Sequence, residues 1–118
     1  MDPLVERKLL GLLGLGFRGR LVVVGVERVR DAALANKLRM AVVAPDASSN
    51  SLDKIVPMLN ARRVFYVEGP GAVALGNAVG KASTAVVGVV DAKLARGIRE
   101  IVAAGSVGAR DSGPAGTQ

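Results

Sequence analysis

Two hydrophobic patterns alternate along this chain, one at helical spacing and one in short continuous runs. Leu4, Leu9, Leu10, Leu12, Leu13 and Phe17 recur at the three- and four-residue intervals of a single helix face. Pro3 suits the first turn of that helix and Asp2 its N-cap, so the pattern predicts a helix through to Arg18. Gly11, Gly14 and Gly16 weaken it locally and allow a neighbouring element to come close. Leu21–Val24 is a β-branched run stopped by Gly25 and predicts a strand, and Val26–Ala35, closed by Asn36, predicts a second helix. Met40–Ala44 is apolar at every position, the mark of a strand covered on both faces. The segment Pro45–Asn50 is rich in turn and capping residues and predicts a loop.

A third helix is predicted over Ser51–Arg62, with Leu52, Ile55, Val56 and Leu59 inward and a kink at Pro57. Val64–Val67 predicts a strand, Gly69-Pro70-Gly71 a turn, Ala72–Val79 a helix and Ala85–Val90 a buried strand. Asp91 is placed to cap a last helix reaching about Ala104. Strands alternating with helices in this way predict an α/β protein, a three-layer α-β-α sandwich around a small mixed sheet of about four strands. Residues 1–104 are read as one domain. From Gly105 to Gln118 the chain is rich in Gly, Ala and Ser without periodicity, which predicts a disordered tail over 105–118.

Composition narrows the chemistry. Half of the 118 residues are hydrophobic, enough for a packed core, but one Tyr, two Phe and no Trp leave that core to Val, Leu, Ile and Ala. The absence of Cys and His removes disulfides, Cys/His zinc sites, Ser-His-Asp and Cys-His nucleophile systems and imidazole acid/base chemistry. The longest apolar run, Leu9–Phe17, is far too short to span a membrane. It follows Arg7-Lys8 as a signal peptide would, but Asp2 and Glu6 acidify the leading segment. Arg18-Gly19-Arg20 then stands where a small-residue cleavage site belongs. A cytoplasmic protein with no membrane partner is therefore expected.

Sixteen Lys and Arg against ten Asp and Glu give a formal net charge of +6. The excess is concentrated early: residues 1–40 hold eight basic and four acidic side chains, a net +4. A polyanion such as nucleic acid is the natural partner of such a chain, although a merely basic surface gives the same sum.

Motif by motif, the chemistry thins out. Gly76-Asn77-Ala78-Val79-Gly80-Lys81-Ala82-Ser83 has the look of a phosphate-binding P-loop. It has three rather than four residues between its glycines, and Ala82 stands where Ser or Thr should follow the Lys. Gly69-Pro70-Gly71-Ala72-Val73-Ala74-Leu75-Gly76 lacks the dinucleotide spacing, and Pro70 removes a backbone donor, so it reads as turn chemistry. Asp46, Asp53, Asp91 and Glu100 are scattered, and capping accounts for Asp46 and Asp91. No catalytic set and no metal site is assembled. What remains is Arg18-Gly19-Arg20, a strand, then Gly25-Val26-Glu27-Arg28-Val29-Arg30. There a glycine turn opens a helix whose first N–H groups attract phosphate, Arg28 and Arg30 add charge, and Glu27 can accept from a base. A solvated amphipathic helix fits the same residues.

Taken in order, several segments carry a resemblance. They are Leu10–Gly14, Arg18-Gly19-Arg20, Gly25-x-Glu27-x-Val29, Val42-Val43-Ala44-Pro45-Asp46-Ala47-Ser48, Asp53-Lys54, Leu75-Gly76, Val79-Gly80 and Thr84–Val89. Over about residues 4–103 the chain resembles the L-seven-Ae/L-thirty-e ribosomal protein superfamily, most of all its small bacterial YlxQ-like members. The resemblance implies an α-β-α sandwich and a non-catalytic, ribosome-associated protein that binds structured, kink-turn-like RNA without a cofactor. It places the RNA surface at Gly25, Val26, Glu27, Arg28 and Arg30, with Lys81, Ala82, Ser83 and Thr84 opposite and Arg20 adding a phosphate contact. The partners it implies are structured RNA, ribosomal RNA first, alongside ribosomal or RNA-processing proteins, with the chain itself a monomer.

The chain departs from the strong kink-turn binders at the positions that follow the glycine turn. Glu27 stands in place of Asn, Arg28 in place of Glu, and Asp31 in place of Lys. A protein–protein module of the same fold is the alternative reading, and the discriminating property is salt sensitivity.

Overall fold

A computed structural model describes residues 1–105 of the chain. Its elements follow in strict alternation: α1 (Pro3–Arg18), β1 (Val22–Val24), α2 (Val26–Leu34), β2 (Met40–Val43), α3 (Ser49–Ala61), β3 (Tyr66–Glu68), α4 (Ala72–Ala78), β4 (Val86–Val89) and α5 (Ala92–Gly105). The four strands form one sheet in the order β1-β4-β2-β3. β2 and β3 are parallel, and β4 is antiparallel to both β1 and β2. So β1, β2 and β3 share one direction and β4 runs against them. One end of the sheet gathers the finishes of β1, β2 and β3 with the start of β4, and we call it the carboxyl end. The amino end gathers their starts with the finish of β4.

Side-chain alternation along the strands builds two separate cores. Met40, Val42, Ala44, Val87 and Val89 pack against Leu9, Leu13, Leu75, Ala95 and Ile98, contributed by α1, α4 and α5. Ala41, Val43 and Val86 pack against Val29, Ala32, Ala33, Ile55 and Leu59, contributed by α2 and α3. Helices thus cover both faces of β2 and β4, and every residue of both strands is buried. That is why these strands read as continuous apolar runs rather than as alternating ones. The result is the expected three-layer α-β-α sandwich with a four-stranded mixed sheet.

Helix starts follow the sequence closely. The Leu4 N–H donates to Asp2 Oδ1 at the start of α1, the Ser51 N–H to Ser48 Oγ at α3, and the Leu94 N–H to Asp91 Oδ2 at α5. Because Ser48 is the N-cap, α3 begins at Ser49, two residues before the expected Ser51. It continues through Pro57 to Ala61, so the kink expected there does not end the helix.

Helix ends follow one device. Arg20 (φ 62°), Asn36 (φ 60°), Arg63 (φ 58°) and Gly80 (φ 76°) each adopt the left-handed conformation just past a helix. The next N–H reaches back five residues in each case: Leu21 to Gly16, Lys37 to Ala32, Val64 to Leu59 and Lys81 to Gly76. This is the Schellman closure, usually built on Gly. It also moves a boundary. Val64, expected in β3, closes α3 instead, and β3 runs from Tyr66 to Glu68 rather than over Val64–Val67. Gly105, assigned from sequence to the tail, ends α5, and the remainder of that predicted tail, 106–118, lies outside the described residues.

Candidate nucleic-acid interface

The antiparallel register of β1 and β4 sets the geometry of the predicted surface. Val24 pairs with Val87, so the turn that leaves β1 lies beside the loop that enters β4. The Gly25 N–H donates to the Val86 carbonyl oxygen at 3.0 Å, and the Thr84 hydroxyl donates to that same oxygen at 3.1 Å. One buried acceptor therefore joins the two loops that the sequence places far apart. Nothing in the sequence marks Val86 for this, because the group that acts is its backbone.

Gly25 makes the turn with φ 98° and ψ 159°, a conformation essentially reserved for glycine. From it α2 departs with Val29, Ala32 and Ala33 buried, which leaves Glu27, Arg28, Arg30 and Asp31 exposed on the other side. The Val29 N–H already donates to the Gly25 carbonyl. The N–H groups of Val26, Glu27 and Arg28 precede the first intrahelical bond, and no side chain caps them. At every other helix start a carboxylate or hydroxyl does so. At α4, whose own N-cap is Gly71, the cap is borrowed: the Ala72 N–H donates to Asp46 Oδ1 at 2.8 Å. Asp46 thus caps a helix, as expected, though the one after β3 rather than the one it precedes.

The opposing loop is held against α4. The Thr84 N–H donates to the Ala72 carbonyl and the Lys81 N–H to that of Gly76, while Lys81, Ala82 and Ser83 face solvent. A Cβ on Gly76 would sit 2.6 Å from the Ser83 carbonyl carbon and 2.7 Å from its nitrogen, so only glycine admits the loop here. Gly76 is legible in the sequence only as a glycine inside a helical pattern. Its carbonyl serves the helix end, accepting from the Val79 and Lys81 N–H groups, while the Gly80 N–H donates to the Asn77 carbonyl, so these three donors are already engaged.

Of the residues expected at the RNA surface, Gly25, Val26, Glu27 and Arg28 come together with Thr84 at the carboxyl end. Arg30 lies one turn along the exposed side of α2, and Lys81, Ala82 and Ser83 line the loop leading up to Thr84. Arg20 is not part of this group. It precedes β1, and the Val90 N–H donates to the Leu21 carbonyl beside it, which puts Arg20 at the amino end of the sheet. Among the described residues no three acidic side chains gather to hold a metal ion, and no helix is long and apolar enough to cross a membrane.

Residues 8–98 match the model of the ribosomal protein L7Ae/L30e/S12e/Gadd45 family. The chain belongs to that family. Within it, the chain is 34% identical over 80 residues to the RNA-binding protein YlxQ of Bacillus subtilis, a stretch covering 68% of this chain and 80% of that protein. Its fold superposes with a TM-score of 0.73 on a Bacillus halodurans protein of unknown function. That pair is 28% identical, with 81% of this chain and 97% of the other covered. A Giardia lamblia 15.5kD RNA binding protein shares the fold at TM-score 0.71 and 20% identity, over 88% of this chain and 89% of that one. In this chain the glycine turn and the opposing loop lie side by side, and charges of both signs, Glu27, Arg28 and Asp31, stand on the exposed side of α2.

Proposed function

We propose that residues 1–104 act as one RNA-binding unit, without a catalytic role, that grips structured, kink-turn-like RNA at the carboxyl end of the sheet. The observation that carries this reading is the bare start of α2, held beside the 81–84 loop by the shared Val86 carbonyl. Exposed N–H groups at a helix start, with the positive end of the helix dipole behind them, are a ready site for a phosphate or another acceptor. Membership of a ribosomal protein family, and the name of the Bacillus subtilis relative, point the same way.

In this reading the helix start enters the groove opened at a kink, and Glu27 accepts from exposed base amino groups. Arg28 and Arg30 neutralise flanking phosphates, and Lys81, Ala82, Ser83 and Thr84 pack on an extruded nucleotide. Recognition is of shape, so binding selects the bent RNA conformer to the extent that it binds it better. The same reading makes the chain a monomeric, ribosome-associated protein of the cytoplasm with ribosomal RNA as its first partner, and the ribosomal family description supports the ribosomal part of it. Retention on immobilised structured RNA tests the assignment. Arg28→Glu with Arg30→Glu is expected to abolish the preference for kink-turn RNA over the same RNA with its G·A pairs disrupted while the circular dichroism spectrum is unchanged, and a wild-type preference in that variant refutes it.

One observation favours a second reading, a protein–protein module. Glu27 and Asp31 put two acids on the exposed side of α2, where phosphates would approach. Under that reading, capture of a partner persists in high salt and after nuclease treatment.

A further inference from the structure

The amino end of the sheet differs in charge from the carboxyl end. Arg18 ends α1, and Arg20, Lys37, Arg39, Arg62 and Arg63 occupy the loops that join α1 to β1, α2 to β2 and α3 to β3, all six of them exposed. Lys93 adds to them from the start of α5. The acids on the segments that flank this end are Asp91, whose carboxylate is engaged with the Leu94 N–H, and Asp31, a turn back along α2. Hydrogen bonds fix the order across this end. Leu21 lies beside Val90, Arg39 beside Val89, and Phe65 beside Ala41, while the Arg62 guanidinium donates to the Ala33 carbonyl. At about 4.8 Å between neighbouring strands, the basic row is about 14 Å wide. That is wide enough to meet a few consecutive phosphates of one strand.

Basic residues at helix C-termini are often explained by the helix dipole. Three helices end here, each worth about −0.5 charge, which offsets only a minority of these cations. A second feature is independent of charge. Arg20 and Arg63 occupy left-handed positions that glycine takes without strain, at φ 62° and 58°. Backbone strain favours glycine at both, so the turns themselves do not call for arginine, and strained non-glycine positions are associated with function.

We propose that the amino end of the sheet is a second RNA-contact surface, one that holds a phosphate backbone by charge and without base recognition. Arg20 belongs to it rather than to the Gly25 surface. That the polyanion is RNA rests on the reading above; the second surface itself rests on the charge and backbone of this end. The protein then bridges two RNA segments at opposite ends of its sheet.

The experiment uses the full chain, labelled poly(U) as an unstructured probe and a kink-turn RNA as a structured one, each titrated by fluorescence anisotropy between 50 and 200 mM salt. Wild-type protein carrying one equivalent of unlabelled kink-turn RNA is expected still to bind poly(U). The variant carrying Arg20→Gly, Lys37→Gln, Arg39→Gln and Arg63→Gly is expected to lose poly(U) affinity at least tenfold at 50 mM salt. Its salt slope should fall by about 3, at about 0.7 per phosphate contact. Its unfolding midpoint should not fall, because the two glycines relieve strain. A companion variant, Arg28→Gln with Lys81→Gln, should lose its preference for the kink-turn and keep the poly(U) slope. Wild-type poly(U) affinity and slope in the four-site variant overturn the proposal and leave the carboxyl-end reading standing. Poly(U) binding abolished by one equivalent of kink-turn RNA also overturns it, since one surface then serves both. Failure of the wild type to bind either RNA overturns both readings.

Discussion

Gly25 and Gly11 form a matched pair for testing how the turn is built. At each, an added Cβ would meet nothing within 4 Å, so neither substitution to alanine creates a steric clash. Gly11 lies inside α1, where alanine lowers the conformational freedom of the unfolded chain and raises stability by about 0.5–1 kcal/mol. Gly25 holds φ 98° and ψ 159°, and an alanine forced there costs roughly 1–3 kcal/mol. The alternative is for the turn to relax, which moves the N–H that donates to the Val86 carbonyl and uncouples the two loops. A midrange loss of about 2 kcal/mol corresponds to a fall in melting temperature of roughly 8–16 °C for a domain of this size. Urea unfolding followed by far-UV circular dichroism measures both variants, and an unchanged m-value shows that stability alone has moved. Gly11→Ala is expected above the wild type and Gly25→Ala below it. A Gly25→Ala midpoint at or above the wild type refutes the account of the turn.

Other substitutions probe the parts around it. Gly76→Ala drives a methyl group into the Ser83 backbone, so it is expected to destabilise by at least the 1–3 kcal/mol typical of overpacking and to weaken RNA binding, both read from parallel unfolding and anisotropy titrations. Asp46→Ala removes the cap that α4 borrows and should lower stability by about 1 kcal/mol in urea, whereas Asp46→Asn should recover most of it. Arg63→Gly exchanges about 1–2 kcal/mol of left-handed strain for about 0.5–1 kcal/mol of added chain entropy, so the unfolding midpoint should hold or rise slightly. A fall of more than 1 kcal/mol would mean that the Arg63 side chain itself stabilises the fold.

The layers of this protein are legible from its apolar periods because packing here obeys local pattern. Met40–Val43 and Val86–Val89 are buried on both faces and read as unbroken apolar runs, and Asp2, Ser48 and Asp91 mark helix starts by their side chains. Helix ends are less visible. α3 closes on Arg63, a residue with no intrinsic preference for the left-handed region, so Val64 reads as strand and serves as helix closure. The candidate site divides along the same line. Gly25 and the basic start of α2 are visible as a motif, but two facts are relations between distant parts of the backbone. These are the Val86 carbonyl that joins two loops and the approach of Ser83 to Gly76. Arg20 is the converse case. Five positions before Gly25 it looks like a neighbour, yet one strand crosses the sheet between them and sets it at the opposite end.

The central claim is that the start of α2 and the 81–84 loop recognise the shape of a kinked RNA. The most direct test is an anisotropy titration of the full chain against a kink-turn RNA and the same RNA with its G·A pairs disrupted, at two salt concentrations. The account predicts tighter binding to the intact kink at both, and a preference that disappears in the Arg28→Gln, Lys81→Gln variant. Equal affinity for the two RNAs, falling together as salt rises, would contradict it.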